Sequence, residues 1–272
     1  MKSTQQKTWT ESLAKSWARW TPPDRPSPGE LRVYEDELQR ILEKKKKPNV
    51  MALGSTSEFR DLYAKYKLPC TVVEYRQENY DALGLLMPRK KYKETLLVAD
   101  WRTCQTKQKY DLILGDYCIN VIPKKDQAVF IGNLSRMLSP SGMCMIKTFV
   151  RYNNERGDLQ KSAQFFYKKM KHRPVLETLM APMFKSAYDY SKEEFAFPDV
   201  WRNLQALYRK KKLKKRELDY FASLGLDQIS LKVYIPLFQD IIKMIEAHAT
   251  LYGVRFGGEW FSVDVPIIMF KK

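Results

Sequence analysis

An open, doubly wound α/β sheet of seven mostly parallel strands, ending in a C-terminal antiparallel hairpin and interrupted by a large helical insertion, is the fold class the sequence predicts. Three observations lead there. Between residues 50 and 149, five short apolar runs alternate with helical segments, the β-α-β pattern of strands buried on both faces of a parallel sheet. Residues 151 to 250 are rich in Lys, Tyr, Phe and Met and show no convincing strand. The closing stretch, VRFGGEWFSVDVPIIMFKK, reads as two strands with a hairpin turn at Gly257 and Gly258.

Taken in order, the chain begins with helical material broken at residues 21 to 28, TPPDRPSP, whose prolines force an extended or turning path. Residues 30 to 47 then place Leu31, Tyr34, Leu38, Ile41 and Leu42 at helical spacing, and Pro48 stops the helix. Strands are expected at 50–53, 70–73, 96–99, 110–114 and 143–149, with helices at 58–66, 79–87 and 125–137 between them. Further helices are expected at 158–171, 174–189, 198–222 and 236–251. The organisation is therefore an N-terminal helical segment and lid over 1–47, an α/β core over 48–150, a helical insertion over 151–252 and returning strands over 253–272.

Composition narrows the class of protein. Of 272 residues, 48 are Lys or Arg and 31 Asp or Glu, a formal net charge of +17, yet 44% are hydrophobic, so disorder is a poor reading. Apolar runs fall short of the roughly 18 residues that span a bilayer, and the start MKSTQQKTWTES lacks a signal-peptide core, so a soluble cytoplasmic protein with no membrane association is expected. Cys70, Cys104, Cys118 and Cys144 are far apart and the chain has only His172 and His248, which argues for reduced core thiols and against a metal site.

Candidate chemistry lies at the strand ends, where open α/β sheets bind ligands. The first strand runs into Gly54-Ser55-Thr56-Ser57-Glu58, a glycine that admits close backbone approach followed by small hydroxyl residues at a helix start. The second ends at Glu74, twenty positions on, where a carboxylate can accept hydrogen bonds from both hydroxyls of a ribose. The third ends at Asp100-Trp101 and the fourth at Gly115-Asp116-Tyr117. A single acid at a strand end is usually a cap or a solvated side chain. Acids behind three successive strands, after a glycine loop, point to a nucleoside site.

These residues resemble the core of class I S-adenosylmethionine-dependent methyltransferases, whose sheet is Rossmann-like. VMALGSTSEF stands where that family has its first motif, VVEY at its ribose-binding acid, VADW at its adenine-contacting acid, DLILGDYC at its fourth strand and LSPSGMCMIKTF at its fifth. The first motif departs from the usual three glycines and is similar to a Leu-Gly-x-Thr-x-Glu variant. A nicotinamide-binding sheet is disfavoured, because G-x-G-x-x-G is absent.

The resemblance implies S-adenosylmethionine as cofactor and S-adenosylhomocysteine as product. It implies Gly54, Ser55, Thr56 and Glu58 around the methionine portion, Glu74 and Tyr75 at the ribose, Asp100 and Trp101 at the adenine, and Asp116 near the methyl group. Asp116 and Tyr117 are the candidate catalytic residues. The N-terminal segment, with Trp9, Trp17, Trp20 and Arg25, and the helical block, with Phe165, Phe166, Tyr167, Phe184, Tyr188 and Tyr190, stand where the family builds its acceptor pocket, although most of the helical-block aromatics read first as ordinary helix packing.

The expected acceptor is a small molecule. Gly115-Asp116-Tyr117-Cys118 differs from the Asn/Asp-Pro-Pro-Tyr/Phe of enzymes that methylate exocyclic amines of nucleic acids. Basic runs at 44–47, 89–93 and 209–216 keep RNA or another nucleic acid as the alternative acceptor, though the charge is spread almost evenly, +9 over residues 1–150 and +8 over 151–272. A non-catalytic nucleoside-binding module is the third reading. The sequence leaves the oligomeric state open.

Overall fold

The structure, a computed structural model, describes residues 16–229 and 231–272. Trp9 lies outside the described residues. The first long helix, α1 (Pro28–Lys44), starts at a capping box: Ser27 accepts from the Glu30 backbone, the Glu30 carboxylate accepts from the Ser27 backbone, and Pro28 opens the helix. Its inner face buries Tyr34 and Leu38 against the sheet.

The sheet has seven strands: β1 (Val50–Leu53), β2 (Cys70–Glu74), β3 (Glu94–Val98), β4 (Tyr110–Asp116), β5 (Leu138–Lys147), β8 (Thr250–Arg255) and β9 (Ile267–Lys271). Their order is β3-β2-β1-β4-β5-β9-β8. Strands β1 to β5 pair in parallel, whereas β9 is antiparallel to both β5 and β8. Within this sheet β9 alone runs against the others. Every residue of β1 and all of β4 up to Gly115 are buried, which explains their unbroken apolar texture.

Helices α2 (Ser57–Lys65), α3 (Gln77–Gly84) and α4 (Lys124–Met137) make the crossovers. Two apolar layers, one containing Phe59, Tyr63 and Tyr34 and the other Phe130, Ile131 and Leu134, cover opposite faces of the sheet. Order reverses between β1 and β4, so a cleft opens beyond their carboxyl ends.

The insertion has its own core of Phe166, Leu179, Met183, Phe184, Leu204 and Phe221, joined to the sheet side by Phe149. Its helices are α5 (Leu159–Phe165), which continues as a π-helical turn over Phe166–Met170, α6 (Val175–Ala187), α7 (Phe197–Arg209), α8 (Lys215–Ser223) and α9 (Phe238–Glu246). Four expectations need correction. The helix expected over 198–222 is two helices, because Leu213 turns inward and the chain reverses between Arg209 and Lys215. Two short strands, β6 (Phe195–Ala196) and β7 (Lys232–Val233), pair within a region expected to have none.

The helix expected to reach residue 251 stops at Glu246, and Thr250 already belongs to β8. Finally, Gly257 and Gly258 form no tight hairpin: β8 and β9 are joined by residues 256–266, which include a 3₁₀ turn at Ser262–Asp264, and Gly257 packs against the start of α1 beside Glu30. No helix among the described residues is long and apolar enough to cross a membrane.

Candidate active site

A cleft of about 170 Å³ lies at the carboxyl ends of β1, β2, β3 and β4. Its walls include Gly54, Ser55, Thr56, Glu74, Tyr75, Asp100, Trp101, Asp116 and Tyr117, so eight of the nine residues expected at the cofactor, and both expected catalytic residues, meet in one place. Glu58 is the exception. It lies outside the lining, with one carboxylate oxygen taking Arg25 Nε at 2.6 Å and the other Ser57 Oγ at 2.9 Å.

Gly54 needs to be glycine for two separate reasons. Its φ of +77° is in the left-handed region, and a Cβ there would come within 3.3 Å of Trp101 Cζ2. The Trp101 indole is fixed by its Nε1 donating to the Val73 carbonyl at 2.8 Å, and the same carbonyl accepts from Gly54 N at 2.8 Å. One carbonyl at the end of β2 thus locks the glycine loop and the aromatic wall together.

Glu74 is 6% exposed, and burial raises its pKa against the opposing hydrogen bonds that its Oε1 accepts from the Tyr75 backbone and the Asn79 amide. Asp100 behaves oppositely. Burial works to raise it, but Arg102 grips the carboxylate through Nε, Nη2 and its backbone N–H and holds the pKa low. Arg102 also reaches Asp126 at 2.6 Å at the start of α4, tying the third strand end to that helix.

At the end of β4, Asp116 is not solitary. Its Oδ1 lies 2.9 Å from Nζ of Lys147, the last residue of β5, whose side chain is fully buried. Lys147 Nζ also stands 3.3 Å from Glu30 and 2.9 Å from the Pro23 carbonyl. Burial disfavours the ammonium, but Asp116 and Glu30 outweigh it and raise its pKa, so Lys147 stays charged.

One ammonium serves three buried carboxyls, because Asp24 sits in the same field. Burial pushes Asp116 up to about 7 and Asp24 up to about 8, with Lys147 opposing in both cases. Burial thus pushes Asp24 toward its neutral form.

Tyr117 adopts φ +53°, an uncommon conformation for a non-glycine residue. Its hydroxyl donates to the Pro23 carbonyl at 2.7 Å, its ring lies 4.5 Å from Lys147 Nζ, and burial raises its pKa well above the usual phenol value. The proline-rich segment is thereby pinned across the ends of β4 and β5.

Behind Tyr117 is a second cavity of about 90 Å³, walled by Trp17, Trp20, Phe149, Phe184, Phe197, Ile229 and Val233, with Asp24 and Asn120 as its polar members. It shares Trp17, Tyr117, Val121 and Leu231 with the first cleft. Of the six aromatics of the helical block expected at an acceptor pocket, Phe184 alone lines this cavity. Phe165 is 49% exposed, Phe166 is in the insertion core, and Tyr167, Tyr188 and Tyr190 donate to Glu217, Ile235 and Glu155.

No family model matches the chain. No curated protein matches it either. Solved structures do. The CcbJ methyltransferase from Streptomyces caelestis aligns over 97% of this chain and 99% of its own, with a TM-score of 0.57 at 8% identity. An S-adenosylmethionine-dependent methyltransferase from Clostridium acetobutylicum aligns over 88% of this chain and 91% of its own, with a TM-score of 0.52 at 10% identity. A Rhodobacter sphaeroides protein described as a zinc-dependent alcohol dehydrogenase aligns over 97% and 100%, with a TM-score of 0.55 at 16% identity.

Strand order decides between these descriptions, since a dinucleotide-binding sheet runs 3-2-1-4-5-6, whereas here the last strand inserts antiparallel between the fifth and sixth. The fold is that of the class I S-adenosylmethionine-dependent methyltransferases. Within this methyltransferase fold, the described residues contain no cluster of three His, Cys, Asp or Glu side chains able to hold a metal.

Sequence reasoning missed Lys147, Glu30, Asn79 and Asp24. Lys147 did carry a signal: a lysine inside the apolar run MCMIKTF, ending a buried strand, must find carboxylate partners. Asp24 carried none, because its burial depends on where the proline-rich segment docks.

Proposed function

We propose that this chain is an S-adenosylmethionine-dependent methyltransferase that moves a methyl group by in-line displacement to a small-molecule acceptor. The observation carrying this reading is the junction of the two spaces: a cleft with acids behind three strands shares Trp17, Tyr117, Val121 and Leu231 with an aromatic cavity. The cleft suits the cofactor on its own geometry, since Gly54 leaves room below Trp101 where a Cβ would intrude, and the buried Glu74 carboxylate retains lone pairs for ribose hydroxyls.

In this reading Glu74, with Tyr75 beside it, orients the ribose. Asp100 and Trp101 bound the adenine, and Gly54, Ser55 and Thr56 hold the methionine portion. The bound cofactor supplies an activated sulfonium methyl. What the chain adds is alignment and a dry, charged surround. Asp116, held by Lys147, orients the acceptor or takes its proton, and its pKa near 7 suits that exchange. Tyr117 serves as a wall, its hydroxyl being engaged by Pro23.

The helical block and the segment carrying Trp17 and Trp20 enclose the acceptor, and water exclusion there strengthens every charge interaction at the site. An RNA acceptor is the weaker reading. The run Arg209 to Arg216 lines neither space, Leu213 in its middle is buried, and Lys215 and Arg216 are paired with Asp219 and Glu217.

Titration with S-adenosylhomocysteine tests the proposal. The melting temperature should rise with ligand, and Glu74→Ala and Asp100→Ala should each weaken binding. If neither S-adenosylhomocysteine nor S-adenosylmethionine binds at millimolar concentration, the reading is wrong. Binding without turnover of S-adenosylmethionine on any acceptor would fit a non-catalytic module, and RNA affinity that collapses between low and moderate salt would favour the nucleic-acid reading.

A further inference from the structure

Of the residues expected at the cofactor, Glu58 is the one that the cleft does not use, and its partners show what it does instead. Its Oε1 takes two nitrogens of Arg25, Nε and Nη2, each at 2.6 Å, and its Oε2 accepts from Ser57 Oγ at 2.9 Å. An acid in the first turn of a helix commonly serves the helix dipole alone. Here a guanidinium from the proline-rich segment grips it, the two side chains being 20% and 14% exposed, and such a grip fixes direction as well as charge.

The third nitrogen of Arg25 reaches the other way. Nη1 donates to the Trp17 carbonyl at 3.4 Å, so Arg25 joins the start of α2, directly after the Gly54 loop, to the backbone of Trp17. Trp17 is a wall of the cofactor cleft and of the aromatic cavity at once. It packs against Ala82 and Leu83 of α3, the helix that follows Glu74, and its ring stacks on Trp20 at 5.5 Å. Asn79 and Leu83 of that helix also line the cleft, so Trp17 belongs to its nucleoside side. The same segment is tied to the helical insertion, by Arg19 to the Ser223 carbonyl at 3.1 Å and by Trp20 against Phe197 at 6.4 Å. Arg25 to Glu58 is the tie that reaches the helix after the glycine loop.

We propose that Arg25 and Glu58 are positioning residues for the cofactor: Arg25, anchored on Glu58, holds the Trp17 carbonyl and with it the indole wall against the nucleoside. The assignment rests on the methyltransferase reading for the identity of that nucleoside. It gives Glu58 a part different from the one its place in the motif implies, which is a direct hold on the methionine portion. The two parts act on different halves of the cofactor.

The test is calorimetric titration with S-adenosylhomocysteine and with methylthioadenosine, the same nucleoside thioether without the amino acid. Acting through Trp17, Arg25→Ala and Glu58→Ala should each weaken both ligands by the same factor, about fivefold, as the loss of one hydrogen bond gives. Trp17→Ala should weaken both at least about fivefold through the lost ring contact. In that background Arg25→Ala and Glu58→Ala should change affinity less than about twofold, because the wall they hold is gone. Melting curves without ligand check that each variant is folded. A loss confined to S-adenosylhomocysteine in Glu58→Ala, or losses that add fully to that of Trp17→Ala, overturns the proposal. If the wild type binds neither ligand, the cofactor reading fails and takes this assignment with it. Binding of both ligands with no response to Arg25→Ala removes this assignment alone.

Discussion

Lys147 Nζ and Asp116 Oδ1 stand 2.9 Å apart with both side chains almost completely buried, and this ion pair joins the ends of the two central strands β4 and β5 beside the cleft that Asp116 lines. Its attraction is bought by desolvation, and Glu30 and the Pro23 carbonyl complete the ammonium's shell. The capping glutamate of α1 is therefore also part of the site.

Removing the cation should be severe. Lys147→Met leaves Asp116 and Glu30 buried without their partner, and a loss of about 3–5 kcal/mol is expected in denaturant unfolding. A melting curve unchanged from wild type would show that the pair contributes nothing to the fold.

Stability should depend on pH in a direction set by Asp24 and Asp116. Burial raises both folded-state pKa values, to about 8 and about 7, above the ordinary 3.8 of an unfolded aspartate. The folded protein therefore binds more protons than the unfolded chain between pH 4 and 8, so this contribution is complete below about 4 and is lost as pH rises through 7 and 8. The groups facing them are Lys147 and Glu30, and Lys147 remains charged throughout this window. Melting temperature should fall from pH 6 to pH 9, and Asp24→Asn should flatten the fall by up to about 1.4 kcal/mol per pH unit. A slope identical in wild type and Asp24→Asn would remove Asp24 from the account.

Gly54→Ala should weaken S-adenosylhomocysteine binding at least about tenfold and lower stability by about 1–2 kcal/mol, because the left-handed backbone and the Trp101 ring both oppose a Cβ. Calorimetric titration measures the first effect and thermal melting the second. Trp101→Ala removes the ring contact but not the backbone strain, so Gly54→Ala should cost less in the Trp101→Ala background than in the wild type, yet still cost something.

Away from the site, Arg60 is fully buried and pairs with Glu94 at 2.8 Å while donating to the Tyr80 carbonyl, and Tyr80 donates its hydroxyl to the same Glu94. Arg60→Ala should cost about 3–5 kcal/mol, read by urea unfolding, with no direct effect on the cleft. Arg60→Lys should restore little of it, since a point charge cannot replace the two-nitrogen grip on Glu94.

Much of this molecule is written locally. Unbroken apolar runs announced parallel strands because both faces of β1 and β4 are covered, and the acids that follow them announced a cleft because a doubly wound sheet brings successive strand ends to one edge. Element ends were less legible. The helix expected over 198–222 breaks where Leu213 is drawn into the insertion core, and Gly257 is explained by contact with Glu30, more than two hundred residues away.

The sequence by itself determined the fold class, the crossover pattern and the set of residues around the first cleft, since these follow from hydrophobic period and chain order. Tertiary structure decided what those residues do to one another. It gave Asp116 a buried ammonium, took Glu58 away to Arg25, engaged the Tyr117 hydroxyl with Pro23 and left Asp24 unpaired among aromatic rings. The physical reason is that protonation and hydrogen-bond demand depend on desolvation and on neighbours within a few ångströms. Here those neighbours come from segments distant along the chain.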